Sequence, residues 1–153
     1  MPKMYVTVGV PGSGKSTWVT QQEWFKDCAY ISTDRIVERY ARFQKKSYTE
    51  FFGLYMPRAV NFMMKQVNRA KEQGKDIIWD QTSTTIESRA RKFRICPEYY
   101  TIAVVFKTPP KDELDRRLAS RPGKEIPEHV VNGMIERWQE PSHDEGFKEI
   151  WYA

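Results

Sequence analysis

The chain has 153 residues, which suits one compact domain and leaves no room for a second of ordinary size. Its hydrophobic fraction of 40% and aromatic fraction of 14% are enough to bury a core, so a disordered chain is excluded. The net charge of +5 suits anionic partners such as nucleotides or nucleic acid, and suits a plain solvated surface equally well.

Met1-Pro2-Lys3-Met4 runs directly into a strand-like segment, so no signal peptide is expected, and no apolar run approaches the roughly 18 residues that span a bilayer. Cys28 and Cys96 lack metal-type spacing and are expected as reduced thiols in or near the core. The expected location is cytoplasmic, in the host cytoplasm if the chain is phage-encoded.

In chain order, Met4–Gly9 is a short β-branched run stopped by glycine and reads as a buried strand. Trp18, Val19, Gln22 and Phe25 put a helix over 15–25. A second strand over 29–32 leads through Ser32-Thr33-Asp34, a capping-type stretch, into a helix over 35–43. Helical spacing of Phe51, Phe52, Tyr55, Val60, Met63, Met64, Val67 and Ala70 predicts a long helix over 48–73, broken or kinked at Pro57 and ended by Gly74. A strand over 76–80, a helix over 86–95 and a strand over 100–106 follow. Pro109-Pro110 opens a helix reaching about Ser120, a Pro-Gly interruption lies at 121–124, and Pro127 starts a last helix. Strands alternating with helices imply a three-layer α/β domain around a parallel sheet. No linker, internal repeat or low-complexity segment interrupts residues 1–153, so a single domain is expected.

Gly9-Val10-Pro11-Gly12-Ser13-Gly14-Lys15-Ser16 fits the phosphate-loop pattern G-x-x-x-x-G-K-[ST] at every fixed position, between a predicted strand and a predicted helix. Glycines let the backbone wrap closely and aim N–H groups at phosphate oxygens, and the helix adds its positive end. Lys15 is expected at the β- and γ-phosphates of ATP, and the Ser16 hydroxyl at Mg²⁺.

In open α/β sheets ligands bind beyond the carboxyl ends of the strands. Asp34, past the second strand, and Asp80, closing the third, are therefore expected in the same crevice. Asp34 reads as a general base for a hydroxyl acceptor, or as a helix cap. Asp80 reads as an acid holding Mg²⁺ through water, or as a turn residue beside Gln81 and Thr82. Arg117 and Arg121 share a helix face and fit a lid, over roughly 116–126, that offsets phosphate charge; the alternative is a solvated basic helix end. The clusters Arg89, Arg91, Lys92, Arg94 and Arg35, Arg39, Arg42, Lys45, Lys46 fit contacts to a phosphodiester backbone or ordinary solvated faces. His129 and His143 show no metal-ligand spacing.

Residues 9–18, Ile31-Ser32-Thr33-Asp34, Trp79-Asp80-Gln81-Thr82 with Ser88–Arg91, and Arg117 with Arg121 resemble the kinase domain of the bacteriophage and animal polynucleotide 5′-hydroxyl kinases. Residues 126–127, 140–142 and 145–147 are also similar to the animal enzymes. The resemblance covers nearly the whole chain and implies a P-loop kinase fold with a small helical lid. It implies transfer of the ATP γ-phosphate to the 5′-hydroxyl of DNA or RNA. Asp34, Lys15 and Arg121 would be catalytic. Gly9, Pro11, Gly12, Ser13, Gly14, Lys15, Ser16, Thr17, Arg117 and Arg121 would bind nucleotide, and Ser16 and Asp80 the metal. Arg35, Arg39, Thr82 and Arg89 are the expected acceptor contacts. The phage enzyme carries an arginine three residues beyond its catalytic aspartate, where this chain has Val37. No counterpart of the 3′-phosphatase domain is expected. Two further readings stay open: a P-loop kinase of a small molecule or an RNA-linked hydroxyl, and a regulatory nucleotide-binding module without transfer activity.

Overall fold

The computed structural model describes residues 1–121 and 123–153, with Leu54 described through its backbone alone. Strand β1 (Lys3–Val8) lies at the centre of a five-stranded sheet with β2 (Ala29–Ile31), β3 (Ile77–Trp79), β4 (Tyr100–Val105) and β5 (Glu149–Tyr152). The order is β2-β3-β1-β4-β5, and every pairing is parallel. The helices are α1 (Lys15–Thr20), α2 (Thr33–Phe43), α3 (Tyr48–Glu72), α4 (Ile86–Ile95), α5 (Lys111–Ala119) and α6 (Glu128–Glu136).

The two-residue period of the strands divides the core between the faces of the sheet. Met4, Val6, Val8, Ile77 and Trp79 pack with Val37, Ala59, Met63 and Val67 of α2 and α3. Tyr5, Ile78, Ile102 and Val104 point the other way, onto Val19 of α1 and the aromatic group Trp18, Trp24 and Phe25. The result is the three-layer α/β arrangement expected from the alternation of strands and helices. Cys96 is buried, Cys28 is half-buried, and both are free thiols. Among the described residues no helix is long and apolar enough to cross a membrane.

Several elements differ from their sequence reading for local reasons. The helix after the phosphate loop stops at Thr20, where Gln22 turns extended and its side-chain amide donates to Trp18 O at 3.0 Å; a 3₁₀ turn over Glu23–Asp27 follows. Helix α3 runs through Pro57 without a break. Proline leaves the carbonyl four residues back unpaired, and here that residue is the exposed Gly53, whose carbonyl can turn to water. Strand β5 has no sequence counterpart above, because four residues behind a charged turn carry too little pattern; pairing with β4 makes it a strand. The segment expected as a lid begins in the last turn of α5, and its described residues from Ser120 up to Pro127, the N-cap of α6, form no helix or strand. Pro122, part of that segment, lies outside the described residues.

Arg89 corrects an expectation. It has no exposed surface and cannot meet an acceptor. Its Nε and Nη2 donate to the Glu145 carboxylate at 2.8 and 3.1 Å, and Nη1 and Nη2 donate to Ser83 O and Gln139 O, each at 2.8 Å. Helix α4 is thereby tied to the segment preceding β5. Breaking one side of a buried, hydrogen-bonded ion pair leaves an uncompensated charge and costs about 3–5 kcal/mol. Arg89→Ala is therefore expected to lower the unfolding free energy in urea by about that amount, whereas the exposed Arg91→Ala changes it by less than about 0.5 kcal/mol. Equal, small effects would contradict the assigned role of Arg89.

Candidate active site

The phosphate loop leaves β1 and enters α1 beside the end of β3, where Gly9 N donates to Thr82 O at 2.9 Å. Gly12 and Gly14 have φ of +84° and +96°, a region that favours glycine. A Cβ on Gly12 would meet Leu114 Cδ1 at 3.0 Å, so the loop also packs closely against α5. Arg117 of α5 braces the loop by donating through Nη1 to Gly12 O at 3.1 Å, while its Nε donates to Glu113 at 2.8 Å. Ser13 Oγ is buried with no hydrogen-bond partner among the described residues, a polar atom left over inside the loop.

Lys15 folds back over the loop, its Nζ donating to Gly9 O and Val10 O at 2.9 and 3.0 Å. Burial pushes its ammonium down to about 8; Asp80 and Asp34 oppose that shift, and Arg121 and Lys124 add to it. Ser16 Oγ donates to Asp80 Oδ2 at 2.9 Å, and Thr7 Oγ1 lies 3.1 Å from Asp80 Oδ1. The Tyr30 hydroxyl also donates to Asp80 Oδ2, and burial with the Asp80 charge pushes that phenol far above its ordinary value. Asp80 itself is buried.

Ser16 and Asp80 thus present adjacent oxygen donors at the mouth of the loop. A hard divalent cation that keeps most of its waters fits such a pair. Among the described residues no group of three or more His, Cys, Asp or Glu could hold a metal by itself. The donor set accordingly fits Mg²⁺ shared with phosphate and water rather than a closed protein site.

The cap of α2 is Ser32, whose Oγ accepts from Arg35 N at 3.2 Å, so Asp34 is free of that task. The Asp34 carboxylate turns into the cleft, accepting from the Tyr48 hydroxyl at Oδ1 (2.7 Å) and lying 3.5 Å from Lys124 Nζ at Oδ2. Lys124 also donates to Glu38 at 2.8 Å and sits 4.5 Å from the centre of the Tyr48 ring. Burial and the Asp34 charge drive the Tyr48 phenol well above its usual range. Tyr30, Tyr48, Glu38 and Lys124 went unnoticed in the sequence because each is an isolated residue of common type without a motif.

Asp34, Lys15, Ser16, Asp80, Thr82 and Arg121 all border one cleft of about 740 Å³, which Arg35 also reaches. Arg39 does not; it lies on an adjoining groove. Val37 is fully buried in the core and offers nothing to an acceptor. On the far side of the loop a depression of about 510 Å³ is bordered by Gly12, Ser13, Thr17, Trp18, Arg117 and Arg121. Arg121 stands between the two hollows.

A family model described as an AAA domain, AAA_33, matches residues 4–141. The chain belongs to the AAA_33 family. Its solved structural neighbours share its fold. A proposed kinase from Chloroflexus aurantiacus j-10-fl superposes with a TM-score of 0.72 at 18% identity, covering 99% of this chain and 84% of that one. A chain of the Pnkp1/Rnl/Hen1 RNA repair complex gives 0.64 at 21% identity, over 89% of this chain and 43% of that one. A gluconokinase from Sinorhizobium meliloti 1021 gives 0.54 at 15%, over 99% and 81%. At these identities the likeness is one of fold, and the acceptor must be argued from the site.

The depressed Lys15 has a measurable consequence. A bound polyphosphate favours the charged ammonium and raises its pKa, so binding takes up a proton wherever the free site has lost one. Uptake is absent well below pH 8, about half a proton near pH 8 and larger above it, until the bound site itself titrates. Calorimetry of ATP binding in buffers of different ionisation enthalpy reads this directly. Lys15→Met is expected to abolish the uptake; uptake unchanged in that variant would assign it elsewhere.

Proposed function

We propose that the protein transfers the γ-phosphate of ATP to the 5′-hydroxyl of a polynucleotide. The observation that carries this reading is the asymmetry of the cleft. Lys15, Ser16 and Asp80 meet at the phosphate loop, while Asp34 and Glu38 border the same cleft among a larger number of cations, Arg35, Arg42, Lys46, Arg121 and Lys124. An acceptor that brings a hydroxyl and carries phosphate of its own matches those cations in charge.

In the proposed reaction ATP lies along the phosphate loop, with its base in the depression between Trp18 and Arg117. Backbone N–H groups, Lys15 and Arg121 hold the phosphates and offset charge in the transition state. Ser16 and Asp80 would hold Mg²⁺, which supplies charge neutralisation when bound. Asp34 Oδ2, on a half-exposed carboxylate 3.5 Å from Lys124 Nζ, accepts the hydroxyl proton. The acceptor oxygen forms its bond to the γ-phosphorus as the bond to the β–γ bridging oxygen breaks, and ADP leaves. Tyr48 on Oδ1 fixes the direction of the carboxylate.

A small-molecule acceptor is the second reading, favoured by the gluconokinase neighbour. The two are separated by offering labelled ATP with 5′-hydroxyl oligonucleotides and with polyols and sugar acids. Label at oligonucleotide 5′ ends is expected; label confined to small compounds would overturn the proposal. General bases contribute on the order of 10²–10⁴-fold, so Asp34→Asn should lower kcat by that factor while ATP affinity stays unchanged. A variant with near wild-type kcat would remove Asp34 from the base role.

A further inference from the structure

The cleft continues sideways into a groove of about 610 Å³ between α2 and α3, and the two spaces share Tyr30, Ser32 and Arg35. Ile36, Arg39, Tyr40 and Phe43 face this groove from α2 at spacings of three and four residues, one face of a helix. Phe62 and Gln66 face it from α3. Core packing does not account for this surface: Phe43 is 80% exposed, Phe62 42% and Tyr40 37%.

The groove combines flat rings with unspent positive charge. Tyr40 is held against Tyr55 with ring centres 4.2 Å apart, and the Arg35 guanidinium lies 4.9 Å from the centre of the Tyr30 ring. Among the described residues neither Arg35 nor Arg39 enters an ion pair. Cations that follow a phosphate backbone, alternating with rings on which bases stack, are what holds a single strand without regard to sequence.

We propose that this groove binds the single-stranded nucleotides that follow the acceptor's 5′ end, with bases stacked on Phe43 and Phe62 and phosphates beside Arg35 and Arg39. The inference rests on the polynucleotide reading above and specifies the form of that substrate. A duplex end cannot use the groove, because its bases are already paired and stacked on each other. A compact small acceptor would fill the cleft and leave these rings bare. A peptide could cover the phenylalanines, but an apolar peptide would strand the two unpaired arginines.

The test measures binding independently of transfer. Fluorescence anisotropy is followed with a 3′-labelled, 5′-hydroxyl oligothymidylate of about eight nucleotides, a length within the span of single-strand sites, and with a blunt hairpin bearing the same 5′ group. The wild-type protein is expected to hold the single strand about tenfold or more tighter than the hairpin, and Phe43→Ala/Phe62→Ala to lose about tenfold or more on the single strand. Its ATP affinity and melting temperature should stay unchanged.

Equal binding of strand and hairpin, or a double variant that holds the strand as well as wild type, overturns the groove even if 5′ ends are phosphorylated. Wild-type protein that holds no strand also overturns it and points to a protein partner for the aromatic face. Strand binding that depends on both phenylalanines supports the groove even if no 5′ end is labelled, in which case only the kinase reading falls.

Discussion

The cleft depends on one buried carboxylate. Asp80 ends β3 and meets hydroxyls from three other places in the chain: Thr7 of β1, Ser16 of α1 and Tyr30 of β2. Removing a carboxylate from water is costly unless hydrogen bonds replace the lost hydration. Bonds to a charged group contribute about 1.5–3 kcal/mol each, so these hydroxyls are held firmly in place. The parallel register of β1 with β3 makes the meeting possible by setting Val6 opposite Trp79 and bringing Thr7 beside Asp80. Fixing Asp80 fixes Ser16 at the mouth of the phosphate loop.

The two walls of the cleft are built differently. The phosphate-loop side is backbone and buried side chain, and burial there pushes the Lys15 ammonium down to about 8. On the Asp34 side the carboxylates are half-exposed, with Tyr48 and Lys124 on Asp34 and Lys124 again on Glu38. In the proposed reaction a hydroxyl reaches Asp34 past Lys124. That lysine lies on the irregular strap after α5, so opening it requires no change in the sheet.

Much of this could be read from the sequence, and what could not has physical causes. The phosphate loop was legible because it needs several fixed residue types in a row, which chance rarely supplies. The strands were legible because a sheet covered on both faces leaves continuous apolar runs. Asp34 was singled out by its place after a strand, and only the structure shows that Ser32, not Asp34, caps the helix. Arg89 was misread because an arginine in a basic run looks solvated, and only the distant Glu145, Gln139 and Ser83 reveal it as buried. Strand β5, the contact of Tyr30 with Asp80 and those of Tyr48 and Lys124 with Asp34 join segments apart in the chain, which no local pattern announces.

The central claim is that Asp34 receives the proton of a nucleic-acid 5′-hydroxyl facing the ATP γ-phosphate. A crystal structure with a non-hydrolysable ATP analogue and a 5′-hydroxyl dinucleotide tests it most directly. The account predicts the 5′ oxygen at about 2.6–3.2 Å from an Asp34 carboxylate oxygen, in line with the γ-phosphorus, and Lys124 displaced from Asp34. A dinucleotide seated elsewhere, with Asp34 still held by Tyr48 and Lys124, would contradict it.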